Sequence, residues 1–205
     1  MNSRDWILSR VDGALADLGE RTPYPDWEDE LAVCRNHPEF PTLWELFCYK
    51  LKQVNGTPLD GLSSLGEFLV GEGLKTGYCD PELIEAVSAS GTFRDLNLST
   101  EYDRDNFENY EFGITRATGA IAETGTLILN DRDTSARLGA LTPWVHAAVF
   151  PPDRIWADFP TALRESLDDD PSLIFATGPS KTADVEGILI EGVHGPGVQI
   201  ACLAH

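Results

Sequence analysis

The sequence predicts an α/β fold, a mainly parallel sheet with flanking helices. Short apolar segments of strand type alternate with helical segments through most of the chain, the pattern that helical crossovers between parallel strands produce. The 205 residues are 42% apolar and 24% charged, which is enough to bury one core and ordinary for a globular chain. No internal repeat or low-complexity tract interrupts the pattern. The expected organisation is one domain over residues 1–205, with residues 1–55 forming an N-terminal helical segment.

Taken in order, residues 1–18 read as an amphipathic helix, because Trp6, Ile7, Val11, Ala14, Leu15 and Leu18 recur at helical spacing. Residues 21–41 are rich in proline and acidic residues and read as a surface excursion. Pro41-Thr42 opens a second helix through Leu43, Phe47, Leu51 and Val54, with Gly56 as its stop. Residues 62–69 read as helix and 74–78 as a short strand. Asp80-Pro81-Glu82 is a helix start, with Asp as cap and Pro in the first turn, and that helix runs to about Ala89. Strands are expected at 112–116, 120–123 and 126–130, separated by Thr-Gly turns, and at 145–150. A region at 153–167 becomes helical after Pro160. A strand at 173–177 leads into a short helix at 180–186. Apolar strands at 188–193 and 198–203 follow, the second tying the tail into the sheet.

Fifteen Lys and Arg face 34 Asp and Glu, a formal charge of -19. Such an excess repels nucleic acid and anionic lipid. It serves either as a solvated surface or as a face for a basic partner. Residues 1–13 carry Arg4, Asp5, Arg10 and Asp12 and no apolar core of a signal peptide. No apolar run approaches the roughly 18 residues of a membrane span, so a cytoplasmic location is the default expectation. Cys34, Cys48, Cys79 and Cys202 are scattered, without a C-x-x-C, as are His37, His146, His194 and His205. That spacing makes no self-contained zinc or iron–sulfur motif, so no metal ligands are expected and the thiols read as buried and structural.

Two stretches carry candidate chemistry. The first, GITRATGAIAETGTLILN at residues 113–130, is punctuated at Thr118-Gly119 and Thr124-Gly125. Glycine there permits left-handed backbone and close approach to a ligand. Glu123, at a strand end beside a glycine turn, is placed to act as base or nucleophile, or else to cap backbone amides. Arg116 is placed either to hold a carboxylate or phosphate bidentately or to form a surface ion pair. Thr124, Gly125 and Thr126 complete this candidate site.

The second stretch is TGPSKTADVEGILIEGVHGPG at residues 177–197. A strand leads into Gly178, Pro179, Ser180, Lys181 and Thr182, and the expected helix beyond would aim backbone amides at an anion. Capping by Ser180 or Thr182 with a solvated Lys181 is the other reading. The loop is neither a Walker A nor a dinucleotide fingerprint. Asp184 and Glu186 are two apart and do not share a helical face. His194 is an acid/base candidate or a structural turn residue. Gly192, Gly195, Pro196 and Gly197 mark a tight turn between the last two strands.

These two stretches resemble the LUD-domain family, whose best-known members are the lactate-utilisation C proteins. The likeness rests on AIAETGTLIL at 120–129, on GPSKTADVEGILIEGVHGPG at 178–197, and on Pro143-Trp144-Val145-His146 leading into a strand. The resemblance implies a fold similar to the sugar-phosphate isomerase and CoA-transferase (NagB/RpiA-type) superfamily. It also implies a part in oxidation of L-lactate to pyruvate beside two partner proteins. Some of those partners carry iron–sulfur clusters, and this chain binds none by itself. In the related CoA-transferases a glutamate before a glycine turn does chemistry, and Glu123 is the nearest match. Three roles follow: an accessory or ligand-binding subunit of a lactate-oxidising complex that takes a small anionic metabolite; a stand-alone CoA-transferase- or isomerase-like enzyme on a carboxylated or phosphorylated metabolite; and a non-catalytic assembly protein.

Overall fold

The computed structural model describes residues 2–16, 38–130, 137–166, 172–183 and 187–204. Cys34, His37, His205, the expected excursion before Pro38, and Asp184 and Glu186 lie outside the described residues. The chain divides into two units, Met1–His37 and Pro38–His205. In the first, helix α1 (Ser3–Leu15) starts where the Asn2 side chain accepts the amide of Asp5 at 2.8 Å. Its Trp6, Ile7 and Val11 are exposed, and the Arg10 guanidinium lies over the Trp6 ring.

The second unit opens with α2 (Leu43–Gln53). Thr42 and Glu45 form a reciprocal capping box, each side chain taking the other's backbone amide. The helix buries Leu46, Phe47 and Leu51 in the core of this unit. Strands β1 (Thr57–Asp60), β2 (Thr76–Cys79), β3 (Asn97–Ser99), β4 (Phe112–Arg116), β7 (Val145–Phe150) and β12 (Val198–Leu203) form a six-stranded sheet. Its order is β1-β12-β7-β4-β2-β3, and every neighbouring pair is parallel. Helices α3 (Leu62–Gly71) and α4 (Ile84–Ser90) are crossovers on one face.

Not all of the structure is parallel. β5 (Gly119–Ile121) and β6 (Thr126–Asn130) are joined by a turn too short for a crossover, so they pair antiparallel. With β8 (Ile155–Trp156) and β9 (Leu173–Ala176) they form a mixed four-stranded sheet. A third, two-stranded sheet joins β10 (Lys181–Thr182) to β11 (Ile190–Glu191). The fold is therefore α/β with mixed sheets. The short helix expected at 180–186 is corrected within its described part, which is extended rather than helical.

All six residues of β7 are buried, because both faces of the large sheet are covered. Val145, Ala147 and Val149 join Phe112, Ile114, Ile200 and Cys202 against Leu65, Leu69 and Val87. Ala148 and Phe150 join Ala201 and Leu203 against α2 and against Ala120, Leu127 and Leu129 of the smaller sheet. The other face of that sheet, Ile121 and Ile128, packs on Trp156 and on Ala162 of helix α6 (Phe159–Ser166).

A polar thread crosses this interior. His146 of β7 lies between Thr115 of β4 and Gln199 of β12, all three buried. The Gln199 amide nitrogen donates to the carbonyls of His146 and Ile200 at 3.3 and 3.1 Å. Its oxygen therefore faces ring Nδ1 as an acceptor at 3.0 Å. Nδ1 must carry the proton, and Nε2 accepts from the Thr115 hydroxyl at 2.8 Å. Burial pushes the His146 pKa down from 6.5 to about 4.

That shift has a signed consequence. Between pH 6.5 and about 4 the unfolded chain binds a proton at His146 that the folded chain refuses, so stability falls as pH drops through this window and is unaffected above it. The loss is on the order of 3 kcal/mol. Urea unfolding at a series of pH values should show a steeper acid-side decline for the wild type than for His146→Leu, whose starting stability is lower.

Candidate functional site

The structure brings the two sequence stretches together at the C-terminal end of α2. Gly125 adopts φ +68, and a Cβ there would lie 2.5 Å from the Leu51 nitrogen. Gly178 adopts φ +74, and a Cβ there would lie 2.3 Å from the Val54 carbonyl oxygen. Both glycines thus allow a turn to sit directly on helix backbone, which no L side chain permits. The two turns are also linked by hydroxyls. Thr124 bonds Thr126 at 2.7 Å, and Thr126 bonds Thr177 at 2.8 Å across the β6–β9 pair.

Glu123 sits on the same β5–β6 turn but is directed to α6. Its Oε1 accepts the Phe159 amide at 2.9 Å, while Asp158 accepts the Thr161 amide at 2.8 Å. Two carboxylates thus serve the exposed amides at the start of one helix.

The described parts of this run, residues 178–183 and 187–197, pair as an antiparallel ribbon. The Ser180 amide donates to Pro196, and the Gly192 amide donates to Ser180, so the backbone at 180 is taken by strand-type bonds and starts no helix. Lys181 and Glu191 are directly opposed across β10 and β11. The Lys181 ammonium lies 3.4 Å from Glu191 Oε1 and donates to the Val54 carbonyl at 3.0 Å. A hydrogen bond from Asn55, and then the contact with Lys181, hold Glu191 below the usual carboxylate range. Lys181 therefore already neutralises a protein carboxylate. Thr182 is half-buried beside it, and His194 is exposed on the bend after β11. Gly192 and Gly197 are needed for packing, since a Cβ on either would lie 2.3 Å from the Trp144 ring. Trp144 immediately precedes β7 and its carbonyl accepts the Val198 amide, so the ribbon lies at the amino ends of the central parallel strands.

Arg116 is elsewhere, at the carboxyl end of β4. Its Nε lies 3.1 Å from the fully buried Asp80, and its Nη1 lies 2.7 Å from Glu82. The carboxylates it pairs with are the protein's own. Asp80 also accepts the Glu82 amide at 2.9 Å.

Sequence reasoning missed a cleft at the same carboxyl edge. The chain passes from β2 to β3 on one side and then returns to β4 on the other, so β2 marks the switch in strand order where α/β folds place ligands. A cleft of about 460 Å³ opens there, lined by Tyr78, Pro81, Thr100, Tyr102, Arg104 and Arg137. Tyr102 stacks on Tyr110 at 4.9 Å and meets Tyr78 edge-on at 5.7 Å. Arg137, at the start of α5 (Arg137–Leu141), donates to the Ser172 hydroxyl at 2.9 Å. The thiols of Cys48, Cys79 and Cys202 are pushed up by burial, to about 11, 12 and 12. Among the described residues no three His, Cys, Asp or Glu side chains gather as a metal site.

With a parallel sheet, its crossover helices and two glycine turns seated on α2, the molecule is an α/β protein whose matched segment runs from Asp80 to Cys202. Over residues 80–202 it fits the LUD domain, and the chain belongs to that family. It is 40% identical over 101 residues to lactate utilization protein C of Anoxybacillus flavithermus, covering 45% of this chain and 44% of that one. An uncharacterized protein of Neisseria meningitidis serogroup B is 32% identical over 122 residues, covering 56% and 52%. The chain spans about half the length of the curated relatives it matches. A solved structure, a DUF162 family protein from Deinococcus radiodurans, superposes with a TM-score of 0.58 at 17% identity, covering 80% of this chain and 96% of that one.

Arg116→Met should cost about 3 kcal/mol, because it strands the buried Asp80 carboxylate. The double variant Asp80→Asn, Arg116→Met should recover part of that loss in chemical denaturation. Gly178→Ala should also destabilise, through both its φ and the Val54 carbonyl; a melting temperature equal to wild type would contradict the close approach.

Proposed function

We propose that this chain is an accessory subunit in lactate utilisation, serving the oxidation of L-lactate to pyruvate beside iron–sulfur partner proteins. The observation that carries this reading is the set of exposed apolar side chains on and beside the glycine-rich ribbon. Trp144, Ile188, Leu189, Ile190 and Val193 are all exposed, within the segment that fits the family. Large apolar side chains exposed in this number suit a protein contact. The name lactate utilization protein C, borne by several relatives, supplies the pathway. On this reading the electron carriers belong to the partners, and the large negative charge favours partners with a basic contact face. The fold is taken as akin to the NagB/RpiA-type superfamily, and the turns at Thr124–Thr126 and at Gly178, Ser180 and Thr182 hold the subunit's shape at the contact.

In a strain lacking the gene, growth on L-lactate should fail, return with the wild-type gene, and stay absent with Ile188→Asp, Leu189→Asp, although that variant melts like wild type. Normal growth of the deletion strain, with no iron–sulfur protein co-purifying, would sink the reading. Glu123→Ala distinguishes it from a stand-alone enzyme. As a helix cap its loss costs about 1 kcal/mol and leaves lactate growth intact, whereas a nucleophile or base would be indispensable.

A further inference from the structure

We propose that the cleft at the carboxyl ends of β2 and β3 binds a planar organic anion, its charged group held between Arg104 and Arg137 and its ring against Pro81 and Tyr102. Two arginines line one cleft from separate parts of the chain, the loop after β3 and the start of α5, where Arg137 also donates to Ser172. Convergence of this sort matters in a chain of net charge -19, whose overall field disfavours anions. Only a local pair of strong, always-protonated donors offsets that field, and guanidinium forks match carboxylate and phosphate oxygens alike.

The remaining walls are not anion binders. Pro81 and the half-buried Tyr102 offer apolar surface, Tyr78 is buried beneath them, and Thr100 offers one hydroxyl. The wall is also pre-set. Tyr102 is fixed by stacking on Tyr110 and by a hydroxyl bond to Thr142, while Tyr110 accepts the Asp103 amide and donates to the Glu101 carbonyl. Asp103 in turn accepts the amides of Asp105 and Asn106, which closes the turn that carries Arg104. A volume of about 460 Å³ exceeds the needs of a bare inorganic anion and falls in the range of organic-ligand sites, roughly 300–1,000 Å³. The ligand class is thus a ring that carries a phosphate or a carboxylate. This site stands apart from the ribbon and does not depend on the lactate reading.

The test uses the purified full chain and four probes in calorimetric titration. AMP carries ring and phosphate, salicylate carries ring and carboxylate, adenosine has the ring alone, and inorganic phosphate has the charge alone. At least one of AMP and salicylate should bind, more tightly than adenosine and phosphate, and which one it is assigns the anionic group. Arg104→Gln and Arg137→Gln should each weaken that binding by on the order of tenfold with unchanged melting temperature. Arg104 lies on an exposed loop, so its variant keeps the test valid if Arg137→Gln disturbs α5. Absence of binding by both ring anions at millimolar concentration, inorganic phosphate binding as tightly as AMP, or equal binding by wild type and Arg104→Gln would overturn the proposal.

Discussion

Everything in the larger unit depends on burying a parallel sheet on both faces. Once β7 is covered above and below, any polar side chain on it must be satisfied by its neighbours in the sheet. His146, Thr115 and Gln199 meet that demand among themselves, with one arrangement of donors and acceptors. The same constraint ties three strands together: Gln199 lies level with His146, while Thr115, opposite Ala148, reaches the ring diagonally.

The second organising contact is the seat that α2 provides. Gly125 and Gly178 bring two distant turns onto its last residues, and the Thr126–Thr177 bond closes the gap between them. Glycines that read as ligand-binding flexibility in a sequence are here positions where backbone meets backbone. Gly192 and Gly197 repeat the point against an indole ring.

What could be read from the sequence follows from length and locality. The strands β4, β6, β7 and β12 are apolar runs of five or six residues and were legible as such. β1 and β3 were not, because Thr-Pro-Leu-Asp and Asn-Leu-Ser are short edge strands with little apolar signature, and an edge tolerates Pro58. The segment after Gly178 read as helix because its composition is locally helical, whereas its backbone is captured by Gly192 and Pro196, far along the chain. Glu123 and its turn were visible, but the Phe159 amide it accepts was not. Arg116 was visible without Asp80. The buried thread did leave a trace: His146 and Gln199 are each a lone polar residue within an apolar strand, and Thr115 stands next to Arg116 in β4. The Arg104–Arg137 cleft left none, since its residues come from three separate loops and helix starts.

The position of β12 has a consequence for how the molecule is made. β1 pairs with β12 alone, and Thr57 lies beside Ile200, so every other strand of the large sheet is synthesised between these two partners. During translation β1 waits unpaired until the ribosome has released β12, and β7 waits with one edge open. The strand that joins β1 to the rest of the sheet comes after all the others. Closure is therefore a late, non-local event of the slow kind, and the unfinished chain carries two open strand edges that a nascent-chain chaperone would have reason to cover.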